Sequence, residues 1–234
     1  MKRNNFLNKQ EKEHEMKNKI ITAQEAAGFV KNGSTLMIGG FLGVGTSELL
    51  VDAIVESGVE NLTVIANDTG FETIGVGKLI VSKQASAAIA SHVGTNKETG
   101  RRFNEGDLKL ELSPQGTLVE RIRSGGTGLG GVLTPTGLGT EVEVGKQKIT
   151  LDGKEYLIEM PLRADVAILK GTIVDKSGNI YFGGTTKNFQ IVMALAADTV
   201  IVEAEKLVEV GEIDPNCVMT PGALVDYIVV GGNE

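Results

Sequence analysis

The sequence predicts an α/β fold: a mostly parallel open sheet with helices on both faces, joined late in the chain by a β-hairpin-rich decoration. Three observations carry that expectation. Short apolar runs alternate with amphipathic ones along most of the chain, the pattern of strand–helix units that build a parallel sheet. Glycine recurs at the joints, 31 of 234 residues, against an average of about 7%. Asp152-Gly153 between two alternating runs marks a hairpin instead.

The elements follow in order. "TAQEAAGFVKNG" reads as a helix with Thr22 as its cap, Glu25 completing a capping box and Gly33 as a stop. "STLMIGG" is a short buried strand. After the glycine turn, Thr46 or Ser47 can cap the next helix, with Glu48 well placed in its first turn. Leu49, Leu50, Ala53 and Ile54 make its inner face and Gly58 ends it. "NLTVIAND" is a strand, "GKLIVSKQ" a short helix and "AAIASH" a strand. "KETGRRFNEG" is a helix or turn, and "LKLELS" a strand. "GTLVERIRSGG" is a helix with Glu120 and Arg121 outward. Residues 125–140, "GGTGLGGVLTPTGLGT", read as an unusually long loop, the kind that is functional or disordered. "KQKITLDGKEYLIEM" is the hairpin. "ADVAILKG" and "GNIYFGG" are strands, "KNFQIVMALAA" a helix, "DTVIVEAE" a strand, and "ALVDYIVVGG" a last strand or short helix. No second core, fixed repeat or low-complexity linker is visible, so residues 20–234 read as a single domain.

Residues 1–19, "MKRNNFLNKQEKEHEMKNK", form a charged extension. It has no apolar segment of the secretory kind, and Glu11, Glu13 and Glu15 argue against a transit peptide. No window reaches the roughly 18 apolar residues of a membrane span. A single Cys217 makes no internal disulfide, and a reducing cytoplasm is the expected compartment. Without a nearby histidine or a CxxC partner, Cys217 reads as a buried or inert thiol. His14 lies in the charged extension, leaving His92, and one His with one Cys builds no metal cluster. A net charge of −7 without a basic stripe excludes broad nucleic-acid binding.

The stretch Gly39 to Gly45 joins a strand to a helix, an arrangement that can hold a phosphate on backbone amides. It is not a P-loop, because "GFLGVGTS" lacks the lysine of GxxxxGK[ST]. It fits the dinucleotide pattern GxGxxG poorly: from Gly43, the third glycine falls on Glu48. Asp68 follows the next strand, where a ribose-binding carboxylate stands in that fold, but it also suits a turn in "NDTG". A nicotinamide-dependent oxidoreductase and a non-catalytic module for CoA or a sugar phosphate therefore stay open. What remains is a turn with bare amides and close backbone approach at Gly39, Gly40, Gly43 and Gly45.

"IGGFLGVGTSELL" resembles the signature of the alpha subunit of family I CoA-transferases: GGF, three residues, Gly, one residue, Pro. "ANDTG", "ASHVGTNKETGRR", "LSPQGTLVERIRSGGTGLGGVLTPTGLGT", "RADVAILKG" and "TTKNF" resemble that subunit too, in the same order, from about Ile21 to Val230. Ser47 stands where the signature has its proline. The likeness is to acetate/butyrate–acetoacetate CoA-transferases. It implies ping-pong transfer of CoA between a short-chain acyl-CoA and a short carboxylic or 3-oxo acid, through a glutamate that attacks the thioester. In the two-chain family that glutamate lies on the beta subunit, in a Ser-Glu-x-Gly turn. Glu56 and Glu98 here lack the preceding serine, so no catalytic residue is expected on this chain. The resemblance implies that Gly39, Gly40, Phe41, Leu42, Gly43, Val44 and Gly45 contact CoA as substrate. It implies that Gln115 hydrogen-bonds the substrate carboxylate, and Lys187 could offer charge to an anionic ligand. Gly125 to Gly131 would line the acyl pocket or a subunit contact, with Arg121 and Arg123 on a solvated or interface face. The implied partner is a beta subunit, in a heterotetramer or a larger assembly. No permanently bound cofactor and no metal are expected.

Overall fold

The computed structural model describes residues 18–231; the charged extension up to residue 17, with His14 and its three glutamates, lies outside the described residues. The chain runs α1 (Ala23–Ala27), β1 (Thr35–Ile38), α2 (Glu48–Ser57), β2 (Leu62–Ala66), α3 (Val76–Val81), β3 (Ala85–Ala90), α4 (Lys97–Asn104), β4 (Lys109–Leu112) and α5 (Gln115–Thr127). It continues with β5 (Val132–Thr134), β6 (Lys148–Leu151), β7 (Lys154–Glu159), β8 (Ala164–Asp175), β9 (Ile180–Tyr181), α6 (Gln190–Ala196), β10 (Ala197–Val208) and β11 (Tyr227–Val230). The main sheet has the order β11-β10-β8-β1-β2-β3-β4. All those pairs are parallel, and β9 alone runs antiparallel, against β8. A second, antiparallel sheet of order β5-β7-β6 is the expected decoration.

Side chains alternate across the parallel strands, so the two faces fill separate cores. Leu36 and Ile38 of β1 and Val64 and Ala66 of β2 pack under α1, α2 and α3. Met37 and Ile65, one position out of phase, meet Leu118 and Ile122 of α5 and Val192 and Met193 of α6 on the other face. Helices thus cover both faces.

Local signals act largely as read. Thr22 and Glu25 form a complete capping box. Its helix is only five residues long, however, and Gly33, at φ 81°, serves a later turn. Ser47 caps α2, and Gly58 ends it in the left-handed region at φ 68°. Asp152 and Gly153 both have positive φ, and Leu151 pairs with Lys154 across the turn.

Four readings are corrected. The loop read over 125–140 is shorter: α5 runs through Gly125 and Gly126 to Thr127, and β5 begins at Val132. Those positions are glycine because α5 presses there on the segment before β8 and on α6. A Cβ on Gly125 would stand 2.0 Å from the Leu162 carbonyl oxygen, and one on Gly126 would stand 2.6 Å from the Leu195 Cβ. Arg121, read as outward, is 6% exposed. It donates to the Met160 carbonyl at 2.9 Å and to Glu111, with Glu159 at 3.8 Å. Leu49 is exposed, and Val51 takes its place on the inner face of α2. Cys217 is exposed rather than buried.

Candidate active site at the carboxyl edge of the sheet

Four segments meet beyond the carboxyl ends of the parallel strands, where open α/β sheets hold their ligands. They are the turn Gly39–Gly45 after β1, the turn Asp68–Gly75 after β2, the start of α5 at Gln115, and the turn Thr185–Asn188 before α6.

The first turn is closed on itself. Phe41 and Val44 exchange both backbone hydrogen bonds, at 3.0 and 2.9 Å, and the Gly39 amide donates to the Ile168 carbonyl at 3.0 Å. The Gly40 amide donates to Asn188 Oδ1 at 3.1 Å, and the Leu42 amide to Asp68 Oδ2 at 2.9 Å. The first turn of α2 is equally occupied. Ser47 Oγ accepts from the Leu50 amide, while Glu203 Oε2 accepts from the Leu49 amide and the Ser47 hydroxyl. The expected cradle of bare amides is therefore corrected: most of the donors are spent inside the protein, and a carboxylate of its own stands at the positive end of α2.

The glycines serve close packing of the turn against its neighbours. A Cβ on Gly39 would lie 2.1 Å from the Gln190 side chain, and one on Gly45 2.8 Å from the Thr186 carbonyl. One on Gly43 would lie 2.8 Å from Ile74, and one on Gly75 2.8 Å from Thr46. Between the two turns only about 10 Å³ is left, the room of a single water.

Asp68 pins this arrangement. It is 4% exposed, and besides the Leu42 amide it accepts from Asn67 Nδ2 at 2.7 Å and from the Gly70 amide at 2.8 Å. Both oxygens are engaged, so Asp68 is not free to hold a ribose. Its bond to Leu42 also supports a non-glycine residue at φ 48°, a conformation with a cost of order 1–2 kcal/mol. Asn67, 2% exposed, receives a hydrogen bond from Gln115 Nε2 at 2.6 Å. A chain Gln115–Asn67–Asp68–Leu42 thus joins the two segments that the sequence singled out separately.

Gln115 is exposed at the N-terminus of α5, which Pro114 leaves without a side-chain cap. Beside it a groove of about 610 Å³ runs between α5 and the small sheet, lined by Gly116, Thr117, Glu120, Val132, Leu133 and Thr134. The Thr117 hydroxyl is buried without a partner. Lys187 is exposed on the turn whose neighbours Asn188 and Gln190 hold the glycine turn, with Gln190 Nε2 on the Gly45 carbonyl at 2.6 Å. Glu56 is exposed at the far end of α2, and Glu98, in the first turn of α4, is paired with Arg101. Glu111 and Glu120 are paired with Arg121 and Arg123. Among the described residues no group of three or more His, Cys, Asp or Glu could hold a metal ion, and no helix is long and apolar enough to cross a membrane.

Sequence reasoning missed Asn67, Asn188 and Gln190 as the scaffold of the turn. Gln190 carried a usable signal: it shares with Met193 and Ala194 the buried stripe of α6, and a fully buried amide in such a stripe needs polar partners.

The chain that builds this edge belongs to a defined class: residues 20–231 match the family model for coenzyme A transferases, and the chain belongs to that family. It is 54% identical over 215 residues to the acetate CoA-transferase subunit alpha of Escherichia coli (strain K12), covering 92% of this chain and 98% of that one. It is 55% identical over 214 residues to the acetoacetyl-CoA:acetate/butyrate CoA transferase alpha subunit of Clostridium acetobutylicum, with the same coverage of both chains. Its fold is also that of an acyl-CoA transferase from E. coli O157:H7, with a TM-score of 0.83 at 23% identity over 92% of this chain. This chain spans 47% of that solved one, about half its length.

Proposed function

We propose that this chain is the alpha subunit of a two-subunit enzyme that moves CoA between a short-chain acyl-CoA and acetate, butyrate or acetoacetate. The identity above 50%, along nearly the whole length of two alpha subunits with those substrates in their names, supports the substrate class. The observation that carries the site assignment is the hydrogen-bonded chain from Gln115 through Asn67 and Asp68 to the glycine turn. It holds an amide donor and a CoA-facing turn in fixed relation beside a groove large enough for a short acyl group.

In this reading the nucleophile is a glutamate of the partner. Its carboxylate attacks the thioester carbonyl, forming an anhydride and releasing the CoA thiolate. The thiolate attacks the glutamyl carbonyl, releasing the first acid and leaving a glutamyl-CoA thioester. The second acid's carboxylate attacks that thioester to form a new anhydride, and the thiolate then takes the acyl group and frees the glutamate. Gln115 Nε2 orients the substrate carboxylate by donating to it, without the lasting ion pair a cation would form. Phe41, Leu42, Gly43, Val44 and Gly45 contact CoA by their apolar surface, since the turn's amides are largely used internally, while Gly39 and Gly40 are buried beneath them and support the turn. Lys187 supplies a positive charge nearby. Residues 20–234 form one domain of an assembly of two alpha and two beta chains or larger, in the cytoplasm, with no resident cofactor.

The test is CoA exchange between acetoacetyl-CoA and acetate by this chain alone, by the companion chain carrying Ser-Glu-x-Gly, and by the mixture. Exchange only in the mixture is expected. Exchange by this chain alone, or nicotinamide reduction in its place, would overturn the reading.

A further inference from the structure

The turn after β2 repeats the turn after β1. Gly40-Phe41-Leu42-Gly43-Val44-Gly45 and Gly70-Phe71-Glu72-Thr73-Ile74-Gly75 share one pattern: glycine, phenylalanine, two residues, a β-branched aliphatic, glycine. Their ends share one geometry, while the centres differ, with positive φ at Leu42 and Gly43 but not at Glu72 or Thr73. Phe41 bridges Val44 and Phe71 bridges Ile74, both antiparallel, and each turn has positive φ at its first and last glycine. The two turns follow adjacent parallel strands and nest against each other, Gly43 on Ile74 and Gly75 on Thr46.

What the twins present outward is apolar. Phe41 is 42% exposed, Val44 49%, Phe71 42% and Ile74 38%. Two phenylalanines and two branched aliphatics on adjoining hairpin tips form a face that a soluble chain ordinarily covers. Among the described residues nothing covers the second turn, whose four central residues Phe71 to Ile74 are all exposed.

We infer that these twin turns are the apolar centre of the contact with the companion subunit. The inference rests on the reading that the nucleophile comes from that subunit. Asp68, Glu111, Glu120 and Glu203 at this edge all have partners within the chain. Glu72 stands exposed on the second tip itself, and in the proposed reading the attacking carboxylate comes from a body standing over the carboxyl edge of β1 and β2, where the tips project. The E. coli O157:H7 chain of the same fold is about twice as long, and so carries a further half within one polypeptide. In this arrangement the first turn touches CoA on one flank and the second is left to the protein partner.

The experiment uses the second turn, which has no part in the proposed ligand contacts. A Phe71→Asp/Ile74→Asp variant and a milder Phe71→Ser variant are titrated with the purified companion chain, with mass measured by light scattering. Phe103→Asp, equally exposed but on α4, is the control. Loss of two central apolar anchors is expected to weaken assembly by roughly 100-fold or more. Phe71→Ser weakens it less, and the control stays within about twofold. Thermal melting of each chain alone identifies any variant that fails to fold, in which case Phe71→Ser decides. Assembly of both Phe71 variants with wild-type affinity would overturn the inference, as would unchanged assembly with a raised KM for acyl-CoA, which would give the face to CoA. Because assembly is read without turnover, a wild-type pair that assembles but transfers no CoA would sink the proposed function and leave this inference standing.

Discussion

Replacing Asp68 by Asn tests the pin that joins the two halves of the site. The carboxylate accepts from three donors: the Leu42 amide and Asn67 Nδ2 on one oxygen, and the Gly70 amide on the other. An asparagine amide has one accepting oxygen, and the less costly flip turns its NH₂ toward Gly70. That leaves a buried N–H facing another donor, at about 1–3 kcal/mol. The two remaining bonds lose their charge assistance, and so roughly half their strength. Together the loss is about 3 kcal/mol. In a chain of this size each kcal/mol moves Tm by roughly 2–4 °C, so the isolated chain should melt about 6–12 °C lower. Leu42, at φ 48°, would then relax, and the turn with it. With the companion chain present, kcat/KM for acetoacetyl-CoA should fall by more than tenfold even well below the new Tm. A Tm change under about 1 °C would refute the hydrogen-bond reasoning. A large Tm change with unaltered kcat/KM would refute the claim that the pin serves the site.

Three further outcomes follow from the same structure. Gly125→Ala should destabilise, although alanine is the better helix former by about 1 kcal/mol; its Cβ would meet the Leu162 carbonyl at 2.0 Å, and calorimetry showing a raised Tm would contradict that packing. Burial acts to raise the Asp175 carboxyl, but hydrogen bonds from the Ser177 and Asn179 side chains and amides outweigh it and hold the group below the usual carboxylate range. Its folded pKa being lower than the unfolded one, its stabilisation is present above about pH 4 and is lost as pH falls through the folded value. The Tm difference between wild type and Asp175→Asn should accordingly shrink from pH 5 to pH 3, and a constant or growing difference would contradict the sign. Gln115→Glu should lower kcat/KM by about 100-fold or more, on the scale of losing one aligned donor, since it removes the bond to Asn67 Oδ1 and sets a negative charge against the substrate acid; steady-state rates within twofold of wild type would remove Gln115 from the site.

Much of the architecture could be read from residues alone, because its signals are local. The capping box at Thr22 and Glu25, the Asp152-Gly153 hairpin and the helix stop at Gly58 each depend on a few neighbours in sequence. The errors arise where distant segments decide. Gly125 and Gly126 look like loop residues until Leu162 and Leu195 are seen to require the missing side chains. Arg121 looks solvated by residue type, yet Leu118, Arg121, Ile122 and Gly125 form one buried helical stripe, and periodicity outweighs residue type there. The turn Gly39–Gly45 joins β1 to α2 as its sequence indicates, but its glycines answer close packing rather than open amides. Its open amides are an inference from composition, and only the positions of Asn188, Asp68 and Glu203, far away in sequence, reveal that they are filled. The twin turn after β2 escaped because its central residues Glu72 and Thr73 hide the likeness to Leu42 and Gly43.

The central claim is that the attacking carboxylate is not carried by this chain. The most direct measurement incubates the assembled pair with acetoacetyl-CoA, traps the thioester with borohydride, and maps the modified carboxyl by peptide mass spectrometry. A reduced glutamate is expected on the companion chain and none among the 234 residues of this one; a modified Asp or Glu here would contradict the claim.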